Sequence, residues 1–235
     1  MMLPLMRSEL LKIKRKAFWF LAFLGPFGVV ALQVVNYELR KDYLMKHYPG
    51  WDNYLDGMTM FTALALVLGI AVLTSFTASI ENETNAWKQL LALPVSKWQV
   101  YLTKFTLLAG LFVFSTVLLV LFAWVYGIIL DPGPVIPYGK LISQSFYPLI
   151  GALPVLALQL WIATVSKNQT IPIMTGVFGV ILTFVAPLLP DWVIWKWPSL
   201  YNNWDQPLVN VLLGAGLGLL LYLVGMIDFS RRDVK

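Results

Sequence analysis

Apolar residues in this chain fall in long unbroken runs and not in the alternation of a half-buried strand or the three-to-four spacing of a surface helix. Six stretches, residues 17–35, 58–79, 105–129, 145–165, 171–189 and 208–227, contain no Asp, Glu, Lys, Arg or His. A helix crossing a hydrocarbon layer of about 30 Å needs roughly 20 predominantly apolar residues. A charge near its centre costs roughly 2.5–3.5 kcal/mol. The pattern therefore predicts an all-α, polytopic membrane protein with six transmembrane helices, forming a single transmembrane domain over residues 1–235. The fourth stretch carries Pro148 and Pro154 and is expected to be kinked, because prolines in spans are tolerated where neighbours satisfy the freed carbonyls. The first stretch follows a basic segment, as a signal peptide does. It is too long for an h-region and no small-x-small site follows Val35, so it is expected to stay as an anchor.

Composition sharpens this picture. Of 235 residues, 59% are hydrophobic and 12% charged, where an ordinary soluble domain is about 25% charged, which excludes a typical water-soluble enzyme. Cysteine is absent and His47 is the one histidine, so disulfides, thiolate chemistry, haem ligation and a multi-histidine metal centre are excluded. The net charge of +5 is a topology signal, and no nucleic-acid partner is implied. Arg7, Lys12, Lys14, Arg15, Lys16, Lys88, Lys97, Lys104, Lys167, Arg231, Arg232 and Lys235 fall on the side of the termini. Arg40, Lys41, Lys46, Lys140 and Lys196 fall on the other. Twelve against five places both termini in the cytoplasm.

The empty spans also exclude chemistry. Ion-coupled carriers need an ionisable group at membrane depth, and intramembrane proteases and metal enzymes need acid–base groups or ligands there. No G-x-x-x-x-G-K-[ST] phosphate loop occurs, so uphill transport would draw its energy from another chain.

The most patterned polar segment lies between the second and third spans, residues 81–104. Trp87, Leu90 and Leu91 share one helical face. Pro94 ends that helix by pushing its predecessor out of the α region. Ser96-x-x-Gln99 fits a capping box, and Val95 with Val100 fits a hydrophobic staple, which restarts a helix through Trp98 into the third span. The expected product is a helix–turn–helix elbow that reaches about 21 Å from Ser79 to Leu93 if the second span continues as helix. Two readings stand on physical grounds: an interfacial helix resting in lipid, or a rigid elbow that carries a push from a soluble partner into the membrane.

Glu81 and Glu83, followed by W-K-Q-L-L-A-L-P-V-S-K-W-Q-V-Y-L-T-K, resemble the cytoplasmic loop of ABC-2-type transporter permeases, especially the small permeases of lantibiotic-immunity and antimicrobial-peptide export systems. The resemblance implies that the loop docks on a separate ABC ATP-binding subunit. By position, Glu81 and Glu83 would fix the helix end, Trp87, Lys88, Leu90, Leu91 and Leu93 would line the contact, and Pro94, Ser96 and Trp98 would shape the turn and its exit. It also implies two ATPase copies, a second copy of this chain or a related permease, and ATP and Mg on the partner with no cofactor or metal on this chain. The implied setting is the bacterial cytoplasmic membrane, with an amphipathic cargo, a lantibiotic-like peptide first and a lipid or hydrophobic drug as the alternative. A non-transporting anchor or assembly subunit is a separate alternative.

Three further features carry expectations. Leu3, Met6, Leu10 and Ile13, spaced for one face beside Lys12, Lys14, Arg15 and Lys16, suit an amphipathic helix in the inner headgroup layer, or a plain basic flank. Gly214-x-x-x-Gly218 and Thr175-x-x-x-Gly179 permit close helix packing, within one subunit or at a dimer seam. The outer loops are rich in aromatics: Tyr48 and Trp51 in the first, Trp195, Trp197 and Trp204 in the last. They suit an interfacial belt or a vestibule that receives amphipathic cargo.

Overall fold

The computed structural model describes residues 2–14, 17–47, 49–83, 96–166, 168 and 170–231. Among these residues every regular element is helical: α1 (Met2–Lys14), α2 (Phe18–His47), α3 (Trp51–Glu83), α4 (Lys97–Leu130), α5 (Tyr138–Gly151), α6 (Leu153–Val165), α7 (Thr170–Phe184) and α8 (Pro207–Arg231), with 3₁₀ turns at Ala186–Leu188 and Trp197–Ser199. Five helical segments are long and apolar enough to cross a membrane: Phe18–Leu44, Trp51–Ile80, Lys97–Leu130, Tyr138–Val165 and Pro207–Arg231.

The stretch 171–189 is helical over only part of its length. Its helix, α7, has 15 residues and rises about 22 Å, short of a hydrocarbon core of about 30 Å. Pro187 and Pro190 supply no backbone donor to continue it, and the chain turns through the 3₁₀ segment Ala186–Leu188. The fourth stretch is broken at Ala152 (φ −86°, ψ −6°), between α5 and α6. Pro148 lies inside α5 and Pro154 opens α6. The break keeps its bonds: the Ala152 N–H donates to the Pro148 carbonyl at 2.9 Å, and the Ala152 carbonyl accepts from Leu156 at 2.9 Å.

Three helices outrun their apolar stretches at one end. α2 continues to His47 through a kink at Arg40 (φ −130°, ψ 19°), α3 begins at Trp51, and α5 begins at Tyr138. The sequence pattern stops at 35, 58 and 145 there because polar residues begin. The helices persist because a second core, made by Tyr37, Trp51, Tyr54, Tyr126, Leu130 and Leu141, holds their extensions together. Lys140 Nζ, 2.8 Å from Asp52 Oδ1 and 3.5 Å from Asp56 Oδ1, ties α5 to α3 at that level.

Side-chain contacts fix the directions of the helices. Lys104 pairs with Glu9 at 3.6 Å and the Tyr101 ring lies 5.6 Å from that of Phe229, so α1 and the end of α8 sit beside the start of α4. The Trp51 indole N–H donates to the Gly133 carbonyl at 3.1 Å and the Tyr54 hydroxyl to that of Ala123 at 2.8 Å. α3 therefore starts where α4 ends, and returns to the end of the bundle that holds both chain ends. That is the terminal end below; the opposite one is the far end. α3 is central, packed by α2, α5, α6 and α7, and the main core joins Phe18, Ile70, Leu73, Leu108, Phe112 and Leu156.

Candidate coupling end and membrane groove

At the terminal end, α3 extends through Glu81 and Glu83, and α4 starts at Lys97. Both helices that flank the expected elbow thus reach it as continuous helix. Trp87, Lys88, Leu90, Leu91, Leu93 and Pro94 lie outside the described residues, as does Val95 of the expected staple. Ser96 occupies the N-cap position (φ −72°, ψ 138°) but makes no side-chain cap bond. The expected capping box is therefore not formed through the serine hydroxyl; the first turn closes on the Ser96 carbonyl, which accepts from Gln99 at 3.0 Å. Trp98, on that first turn, is exposed.

Immediately inward, α4 is gripped on several sides. Lys104 is fully buried against Glu9 of α1. Tyr101 packs its ring 5.7 Å from Tyr222 of α8. The Trp161 indole of α6 donates to Asp228 Oδ2 of α8 at 2.9 Å, which braces the same end. α1 packs on α4 by a face that carries Leu5 and Glu9, while Leu10 of the expected apolar stripe is exposed. Sequence reasoning missed the Glu9–Lys104 and Trp161–Asp228 pairs because their partners are far apart in the chain and nothing local marks them.

The small residues mark seams within the chain. Gly214 and Gly218 of α8 meet the α5–α6 break. A Cβ on Gly214 would lie 2.6 Å from the Ile150 carbonyl oxygen, and one on Gly218 would lie 2.7 Å from Leu153 Cβ. On α7, the buried residues Pro172, Gly176, Gly179 and Thr183 form one ridge. Gly179 faces Trp195 and Val67, and Gly176, which the motif search passed over, faces Ala71 of α3. Thr175 Oγ1 donates to the Ile171 carbonyl at 3.0 Å.

The far-end aromatics do not share one opening. Trp51 and Trp197 are buried, and the Trp197 indole donates to the Asp191 carbonyl at 2.6 Å. Trp195 packs partly buried on the main core. Trp204 is exposed, and Tyr48 lies outside the described residues. The last loop is a folded cap. Lys196, 3% exposed, donates to Asp191 Oδ1 at 2.8 Å and to the Leu189 carbonyl at 2.6 Å. That bond to Lys196, supported by the Asn203 N–H, holds the Asp191 carboxyl below the usual carboxylate range.

A cavity of about 590 Å³ opens between α2, α3, α4 and α7. Its polar lining is confined to Thr62, Ser115 and Thr116, and the two threonine hydroxyls donate to carbonyls of their own helices, each at 2.9 Å. Among the described residues no three His, Cys, Asp or Glu side chains converge as metal ligands would.

Residues 5–185 match the family model described as "ABC-2 family transporter protein". Comparison with curated proteins and with solved structures gave no match.

Proposed function

The chain belongs to the ABC-2 transporter family, and we propose that it is the permease of an exporter driven through the 81–104 elbow. Family membership makes it a multi-pass membrane permease of an ABC transporter, a transport subunit and not the ATPase, which associates with an ABC ATP-binding subunit. The terminal end faces the cytoplasm; two copies of the ATPase, carrying ATP and Mg, serve two permeases in a bacterial cytoplasmic membrane; and the cargo is amphipathic, a lantibiotic-like peptide. In this reading Trp87, Lys88, Leu90, Leu91 and Leu93 line the docking contact, and Pro94, Ser96 and Trp98 shape the turn and its exit.

The observation that carries this reading is the continuity of α3 and α4. Each is a single helix of more than 30 residues, one ending and the other starting at the elbow. A displacement delivered to either helix end meets no break along α3 or α4, and packed helices transmit strain because interiors are close-packed. Basic residues support the orientation, since Lys97, Lys104 and Arg231 all sit at the terminal end.

The test uses the full chain co-expressed with a candidate ABC ATP-binding subunit. Leu91→Asp should weaken co-purification or make ATP turnover insensitive to cargo, with unchanged permease accumulation. If association and peptide-stimulated turnover both stay at wild-type level, the elbow is not the coupling contact. In the same vesicles, turnover that responds to a lipid or hydrophobic drug and not to a cationic peptide would replace the cargo assignment while leaving the coupling reading intact.

A further inference from the structure

We infer that the cavity between α2, α3, α4 and α7 is a resident lipid site that takes one acyl chain of a membrane phospholipid. Its dimensions are those of a lipid tail. The lining runs from Leu21 to Leu32 on α2 and from Phe61 to Leu73 on α3, about 16 and 18 Å at 1.5 Å per residue. One leaflet of a hydrocarbon core of about 30 Å has much the same thickness. The site lies wholly within the apolar stretches 17–35, 58–79, 105–129 and 171–189, and its rim residues Leu24, Leu32, Leu68, Ile181 and Phe184 are exposed on the outer surface of the helices. The cavity is therefore continuous with the surface that already faces lipid.

The chemistry of the lining selects the occupant. Apolar cavities stay dry, so water does not fill it. A peptide would bring backbone N–H and C=O groups that must be satisfied at membrane depth. The Thr62 and Thr116 hydroxyls are committed to their own helices, and Ser115 is the one further polar side chain on the lining, too few to match the repeating donors and acceptors of a peptide. An aliphatic chain needs no hydrogen-bonding partner and fills the groove by van der Waals contact alone. Gly28 borders the open space, where an added Cβ would meet nothing within 4 Å. The site does not depend on export, and no ATPase is needed to examine it.

The experiment places the full chain in vesicles of phosphatidylethanolamine and phosphatidylglycerol doped with phosphatidylglycerol that carries a diazirine at one acyl terminus. After irradiation, adducts are mapped by mass spectrometry. Adducts are expected to concentrate on Leu24, Leu32 and Ile181 over Leu212 and Leu219, which are more exposed, on α8. Gly28→Phe, by filling the groove, should remove most of the groove adducts and leave α8 labelling unchanged. Gly110→Phe, at an exposed glycine outside the groove with nothing near its Cβ, should change neither. Leu32→Trp, on the rim, serves as the second blocker should Gly28→Phe fail to accumulate. Equal labelling of groove and α8, groove labelling that survives both blockers, or adducts between two copies of the chain at Leu24 and Leu32 would each overturn the site.

Discussion

Gly214→Ala offers a direct measure of how closely α8 is seated on the α5–α6 break. The new Cβ would lie 2.6 Å from the Ile150 carbonyl oxygen and 2.7 Å from Gly151 Cα, both backbone atoms, where ordinary contacts of this kind begin near 3.4 Å. Backbone cannot rotate away, so α8 must retreat by about 0.8 Å, and a gap of that order forfeits a quarter to a half of the dispersion wells along the seam. Overpacking of this type costs about 1–3 kcal/mol. Against it stands the better helix propensity of alanine, about 1 kcal/mol over glycine. Gly216, two residues on, has nothing within 4 Å of its Cβ position, and Gly216→Ala therefore reports the propensity gain alone. The difference between the two variants isolates the contact: Gly214→Ala should be less stable than Gly216→Ala by about 1–3 kcal/mol. Thermal unfolding of both proteins in the same nanodiscs, read by loss of the monodisperse size-exclusion peak, gives that difference. Equal melting temperatures would show that α8 does not press on Ile150 and Gly151, and would refute the packing argument.

Two further outcomes follow from the far-end ion pairs. Because the Lys196 bond lowers the Asp191 carboxyl in the folded protein, its stabilisation is fully present above the unfolded value of about 3.9 and is lost as pH falls through the folded one. The melting-temperature gap between wild type and Asp191→Asn should thus be constant near neutral pH and close below about pH 4; a gap that persists unchanged in acid would contradict it. Lys140, by contrast, bridges exposed Asp52 and Asp56, so Lys140→Ala should cost no more than about 1 kcal/mol, and less in high salt; a larger, salt-insensitive loss of thermal stability would mean that the pair is structurally buried in the membrane-embedded protein.

The apolar runs determined by themselves that this chain is helical and belongs in a membrane, because six stretches without charge have no other economical solvent. They also gave the break near Pro148 and Pro154 and marked Gly214 and Gly218, since proline and glycine act through their own covalent geometry. The tertiary structure alone decided the rest. α2, α3 and α5 run on past their apolar edges because Tyr37, Trp51 and Tyr54 bury one another, a contact between residues that a linear pattern reads as separate aromatic loops. Trp197 is buried in a capped loop for the same reason, as its indole finds the Asp191 carbonyl only when that loop folds. α1 turns Leu5 and Glu9 inward because Lys104 waits nearly a hundred residues away. The groove had no sequence signature at all: leucines that line a void and leucines that fill one are identical letters, and only the spacing of four helices separates them.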